Sequence, residues 1–280
     1  MNFSMPSDSH ELQWLTNCAI EAHCSISSEG KFTLGFGVWY HSTLSHLLAE
    51  AKHARFNKNS GGLLPLLAAL SAMDQLGACY DSIPKIFPSN YAEKSGIIKS
   101  AHNFLGIGVD TPDSDALYAL RNSLMHQSSL ISIGKQKNNP KHFWFEIDND
   151  ISGLFTHSKI AWDGLYNTRI ESNKTIVNAG KVLDLALNLI EKMKTEHLEG
   201  KVLIALPNGL QELLTTYVEL SFSDSFRQSY IRFLAEMIYR SHNSPLQGSS
   251  NAHKALVGAS QTAVAEATFW LRSNLSNMPV

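Results

Sequence analysis

Cysteine is scarce in this 280-residue chain, which has three: Cys18, Cys24 and Cys79. An odd, sparse set supplies no disulfide framework and fits a reducing compartment. Cys18, His23 and Cys24 also lack the C-x2-C spacing of a zinc site. Excess charge of either sign is missing too. Lys plus Arg number 23 against 25 Asp plus Glu, a formal net charge of −2. No global positive field invites tight, sequence-independent coating of nucleic acid, although a local basic site is compatible with this balance. Long apolar runs are absent: the longest, Gly61 to Leu70, contains Pro65 and falls short of the roughly 18 residues that cross a bilayer. The opening MNFSMPSDSHELQW carries neither the basic nor the apolar region of a secretory signal. The expectation is a cytoplasmic protein with no membrane partner.

What is present is ordinary globular composition, 44% hydrophobic and 17% charged, enough for one large domain or one domain with an elaborated end. Residues 1–30 read as irregular, with a short apolar periodicity at Leu12, Trp14 and Leu15. Phe32, Leu34, Phe36 and Val38 then alternate as in a strand, weakened by Gly35 and Gly37. Helical spacing starts at Ser42, with Leu44, Leu47, Leu48, Ala51 and Ala54 on one face. After NKNSGG, the run LLPLLAALSAMDQLGACY reads as a central buried helix with proline in its first turn. A further helix is expected over about 89–105. Thr111-Pro112 is a start signal, followed by Asp113 and Asp115 in the first turn and a stripe of Leu117, Leu120 and Leu124.

Beyond that helix, SLISIG and HFWFEID flank KQKNNPK as the strands and loop of a β-hairpin. Residues 174–199 show the clearest helical period, with Gly200 as a stop. One more helix is expected around Leu213 to Leu220, another from Phe226 to Tyr239, and a last from Ala255 to Leu271 after the linker SHNSPLQGSSN. The segments at 42–55, 62–80, 112–126 and 174–199 are expected to pack as one antiparallel bundle. The fold class is therefore mainly α. Its parts are an N-terminal segment with a possible strand (1–41), a helical domain with a β-hairpin near 129–148 (42–200), and a C-terminal helical extension (201–280).

One motif stands out for chemistry: Arg121-Asn122-Ser123-Leu124-Met125-His126, late in the helix opened by Thr111-Pro112. With seven arginines and twelve histidines in the chain, a bare Arg…His spacing arises about once by chance; an adjacent asparagine lowers that to a few hundredths. A guanidinium stays charged and can hold two phosphate oxygens. A histidine titrating near neutrality can act as general base or acid. Asn122 offers an amide to orient phosphate or imidazole. Five helical positions separate Arg121 and His126 by about 140° and 7.5 Å, so this spacing alone does not converge one copy on one phosphate. Either the helix ends before His126 or a second subunit completes the site.

The stretch LYALRNSLMHQ resembles the signature of the HEPN superfamily of helical nucleotide-associated proteins, closely over 116–127 and loosely over 42–200. The resemblance implies a HEPN-like helical bundle of four or five core helices. In active members it implies a metal-independent ribonuclease site, often assembled across a homodimer, with Arg121, Asn122 and His126 as its catalytic residues here. It also implies RNA as the substrate, no cofactor, and a toxin–antitoxin, abortive-infection or anti-phage setting with a cognate antitoxin or defence partner. The rival reading is a non-catalytic HEPN-like binding or assembly module, in which Arg121 makes a salt bridge and His126 ends the helix. A helical small-molecule binder stands third.

Other features are read as structural. His46, Glu50 and His53 share a face that reads as solvated rather than metal-binding. Gly106-Ile107-Gly108 is a turn without the remaining glycines or lysine of a phosphate loop. Phe143-Trp144-Phe145 reads as hairpin packing rather than a base-stacking platform. Lys135, Lys137 and Lys141 form the one basic cluster near the motif.

Overall fold

The computed structural model describes residues 9–35, 38–57, 59, 62–83, 94–135 and 140–222. The expected helices at 226–239 and 255–271, and Lys137, lie outside the described residues. The chain divides into two compact units, the smaller comprising Met1–Asn17, Thr33–Tyr40 and Leu220–Val280 and the larger Cys18–Phe32 and His41–Glu219. Among the described residues the protein is mainly α, and no helix is long and apolar enough to cross a membrane.

Along the chain come α1 (Ser9–His23), β1 (Lys31–Gly35), β2 (Val38–His41), α2 (Thr43–Ala54), α3 (Leu63–Cys79), β3 (Tyr80–Ser82) and α4 (Gly96–Leu105). Next are α5 (Pro112–Gln127), β4 (Ile131–Ser132), β5 (Phe143–Ile147), β6 (Phe155–Thr156), β7 (Lys174–Val177) and α6 (Ala179–Leu198). The described part closes with β8 (Val202–Ile204), α7 (Gly209–Glu212), a π turn (Leu213–Tyr217) and β9 (Glu219–Phe222). Strands β1, β2 and β9 form one sheet in that order.

In the larger unit α3 is the axle, packed against α2, α4, α5 and α6. Its Leu66, Leu70, Met73 and Leu76 are fully buried, as are Ile97 and Ala101 of α4, Leu120 of α5 and Leu183, Leu189 and Ile190 of α6. This density of Leu and Ala is what makes α3 apolar all round and therefore central. Helices α3 and α4 touch backbone to backbone at Gly77 and Gly96. A Cβ on Gly77 would overlap the Gly96 carbonyl, and one on Gly96 the Asp74 carbonyl, so only glycine allows this approach. Arg55, at the C-terminal end of α2, reaches both carboxylate oxygens of Asp184 on α6, at 2.6 and 3.2 Å.

Helix α5 begins as its sequence predicts. Thr111 Oγ1 accepts from the Ser114 amide at 3.3 Å, and Ser114 Oγ accepts in return from the Thr111 amide at 3.1 Å, a reciprocal cap. It ends after Gln127, where Ser128 takes a left-handed φ of 50° and Ser129 N–H reaches back to the Ser123 carbonyl at 3.1 Å. The hairpin is present, with Ile131 opposite Trp144, and it belongs to a larger sheet of order β4-β5-β7-β6 in which β5 and β7 run parallel. The sheet lies against α5 through β4 and β5.

Three local expectations are corrected. Residues 9–23 are helical, not irregular. Residues 174–177 are strand β7 rather than the first turn of α6. The β-branched run Thr175-Ile176-Val177 pairs with β5, and Asn178 then caps α6 by accepting from the Lys181 amide at 2.9 Å. The helix expected over Leu213–Leu220 stops at Tyr217, and β9 follows from Glu219.

Candidate functional site

Asp115, Tyr118, Asn122 and His126 recur at three- and four-residue spacing, which places them on one face of α5. With Lys141, the turn at Ile133 and neighbouring residues they line a cleft of about 760 Å³. That size falls in the range of ligand sites, about 300–1,000 Å³. Tyr118 is 42% exposed and Ile133 46% exposed, so the cleft is open and carries apolar surface beside its polar groups.

Arg121 organises the polar end. Its Nη1 donates to Asn122 Oδ1 at 2.8 Å and to His126 Nε2 at 2.9 Å, and its Nη2 donates to Asp74 Oδ2 at 2.5 Å. One chain therefore brings the Arg121 and His126 side chains into contact, five helical positions apart. Helix α5 also continues past His126. Because Nε2 accepts from the guanidinium, the network assigns the ring proton to Nδ1.

Asp74 is the member that sequence reading missed. It lies on α3, and its second oxygen accepts from the Ile97 amide at 3.1 Å at the start of α4. Arg121 and Asp74 are both mostly buried, with side chains 21% and 23% exposed. The signal was available: Asp74 is the one charged residue in LLPLLAALSAMDQLGACY, and a lone charge in an apolar helix needs a partner. Tyr118 was missed as well, though it sits one turn before Arg121 and Asn122.

The other cleft charges are less committed. Lys141 pairs with Asp115 across the cleft, and Lys135 is exposed. Phe143 and Phe145 stack at 5.4 Å on one side of β5, with Phe145 buried. Trp144 points to the opposite side, as strand alternation requires. His46, Glu50 and His53 are exposed on α2. Gly106 ends α4 with a φ of 72°, so the Gly106–Gly108 segment is a turn.

Burial pushes the Cys24 and Cys79 thiols up to about 12, so both are protonated at neutral pH and poor nucleophiles. His23 is fully buried; its Nδ1 lies 2.8 Å from Tyr80 Oη, and Gln75 Nε2 donates to its Nε2 at 3.0 Å. Burial lowers its pKa to about 3.

Comparison with protein families, curated proteins and solved structures finds no match. The functional reading therefore stands on the chemistry of this cleft.

Proposed function

We propose that the α5 cleft binds RNA and cleaves it without a metal, as a HEPN-type endoribonuclease working in the cytoplasm as a toxin or anti-phage component. One observation carries the reading: a guanidinium and an imidazole lie 2.9 Å apart in a single open cleft. In the proposed reaction His126 Nε2 gives up its contact with Arg121 and takes the proton of a 2′-hydroxyl. The resulting 2′-oxygen attacks the adjacent phosphorus, forming the O2′–P bond. Arg121 and the free amide hydrogens of Asn122 steady the extra negative charge on the phosphorane. The P–O5′ bond then breaks, and an imidazolium protonates the departing 5′-oxygen. The products are a 2′,3′-cyclic phosphate and a 5′-hydroxyl. Asp74 holds the guanidinium by Nη2, leaving Nη1 to follow the phosphate.

A homodimer with α5 beside the interface is part of this proposal, because a second His126 would supply the acid while the first serves as base. A cognate antitoxin or defence partner would act by covering the cleft.

The test is direct. RNA incubated with purified protein should yield fragments ending in 2′,3′-cyclic phosphate. A substrate with one 2′-deoxy sugar at the cleaved position should resist, and EDTA should change nothing. Arg121→Lys should be damaging, since an ammonium keeps the charge but loses the planar fork that holds Asp74 with one nitrogen and the phosphate with the other. Absence of any cleavage sinks the nuclease reading. The second reading, a non-catalytic binding or assembly module, is favoured by the Arg121–Asp74 ion pair, which would then serve to fasten α5 to α3. It expects RNA binding or partner binding without product.

A further inference from the structure

Residues 160–173 in the larger unit form a loop with closed ends. Ile160 N–H donates to the Ser172 carbonyl at 3.0 Å. The buried side chain of Asn173 staples the same ends. Its Nδ2 donates to the Ile160 carbonyl, and its Oδ1 accepts from the Ile170 amide, both at 3.2 Å. The loop packs on its own side chains, the mark of a compact Ω-type loop. Trp162 is buried and its Nε1 donates to the Leu165 carbonyl at 2.9 Å. Asp163 accepts from the Leu165 amide at 2.9 Å and also from the Thr168 hydroxyl.

This rigid frame displays an unusual surface. Tyr166 is 82% exposed, and Ile160, Leu165 and Ile170 are each more than half exposed. Arg169 stands among them, its guanidinium carbon 5.0 Å from the Trp162 ring centre, 5.1 Å from Tyr166 and 5.6 Å from Trp144. Three aromatic faces hold it in place. Among the described residues no carboxylate pairs with Arg169, and its Nε–H is buried without an acceptor. A half-buried guanidinium lacking an anion, ringed by Tyr, Trp and aliphatic side chains, has the composition of an interface hot spot.

We propose that this loop is a docking site for a segment of a partner protein that presents one carboxylate between apolar side chains. The carboxylate meets Arg169 and the apolar neighbours cover Tyr166, Leu165 and the two isoleucines. Nucleic acid is the poorer fit. Glu171 is paired with Lys174, so the loop presents Arg169 as a single cation rather than a basic track, and its exposed aliphatic groups offer nothing to a phosphate backbone. The inference is independent of the cleft and its chemistry.

A displayed random-peptide library panned against the full chain, with Tyr166→Ala as the counter-selection, tests it. Enriched peptides should carry Asp or Glu flanked by Leu, Ile, Phe or Trp. A synthetic version should bind about tenfold or more weakly to Arg169→Gln and to Tyr166→Ala. Changing the peptide's acid to its amide should cost as much against the wild type and little against Arg169→Gln. The site is overturned if no peptide distinguishes wild type from Tyr166→Ala, or if the amide peptide binds equally well. It is also overturned if a fluorescent single-stranded RNA, rather than a peptide, loses binding on these substitutions. Tyr166 is so exposed that its replacement spares the fold, and it decides the matter should Arg169→Gln unfold the loop.

Discussion

Two histidines in the larger unit are both hydrogen-bonded to side chains, in opposite surroundings. His23 is sealed inside the core, bonded to Tyr80 and Gln75 on its two ring nitrogens. His126 is exposed at the edge of a cleft, with Arg121 on one nitrogen and no second partner among the described residues. A fully satisfied, dry imidazole is a packing element, because any proton it gained would be unsolvated. An imidazole with one open nitrogen beside a guanidinium is equipped to meet a ligand. Accessibility and an unfilled ring nitrogen together separate the structural histidine from the candidate catalyst.

Substituting each histidine should therefore produce opposite signatures. His126→Ala should lower RNA cleavage by about 10²–10⁴-fold while moving stability by less than about 0.5 kcal/mol. His23→Ala should cost about 2–4 kcal/mol in denaturant unfolding, since it leaves a cavity and strands Tyr80 and Gln75. If His126→Ala instead lowers the melting temperature and spares cleavage, the contrast fails.

Asp74→Asn sharpens the comparison from behind Arg121, whose Nη2 it holds. It removes the charge facing Arg121 and should cost about 1–2 kcal/mol of stability. Cleavage should fall roughly tenfold or more through a misplaced guanidinium, with the loss in kcat rather than KM. Equal kcat in wild type and variant would show that Asp74 only fastens helices.

Acid should act through the sealed ring. The His23 pKa is depressed to about 3 in the folded protein, whereas the unfolded chain takes up a proton near 6.5. Stability from this group is therefore complete above about pH 6.5 and is lost as pH falls toward 3, with a slope approaching 1.4 kcal/mol per pH unit. Urea titrations across that window should show the slope, and His23→Gln should flatten it. The smallest effect belongs to the cap: Thr111→Ala should cost about 1 kcal/mol of stability and leave cleavage unchanged.

Helix α5 was legible because its determinants are local. Thr111 and Pro112 set the start, and Leu117, Leu120 and Leu124 set the buried face within a few residues of one another. Strand β7 was not, since Lys174–Val177 adjoins a strong helical period and becomes a strand only by pairing with β5, about thirty residues earlier. The cleft was half legible. Its three motif residues were found on one helix, but Asp74 acquires meaning only when α3 and α5 meet. The contact of Arg121 with His126 was not legible because helix geometry positions backbones, while the reach of an arginine decides the contact. The Ω-type loop gave no period at all: Trp162 and Arg169 are placed by contacts, not by spacing.

The glycine pair at the α3–α4 crossing bears on timing. Asp74 receives the Ile97 amide of α4 on one oxygen and Arg121 of α5 on the other, and Gly77 and Gly96 let the two backbones close around it. A nascent chain that has not yet made this crossing has nothing to orient the guanidinium, so the cleft becomes competent only after three separate helices have docked. Fragments and misfolded copies would lack the oriented guanidinium by the same rule. A methyl group at Gly77, buried against the Gly96 backbone, would disturb that orientation without altering one residue that lines the cleft.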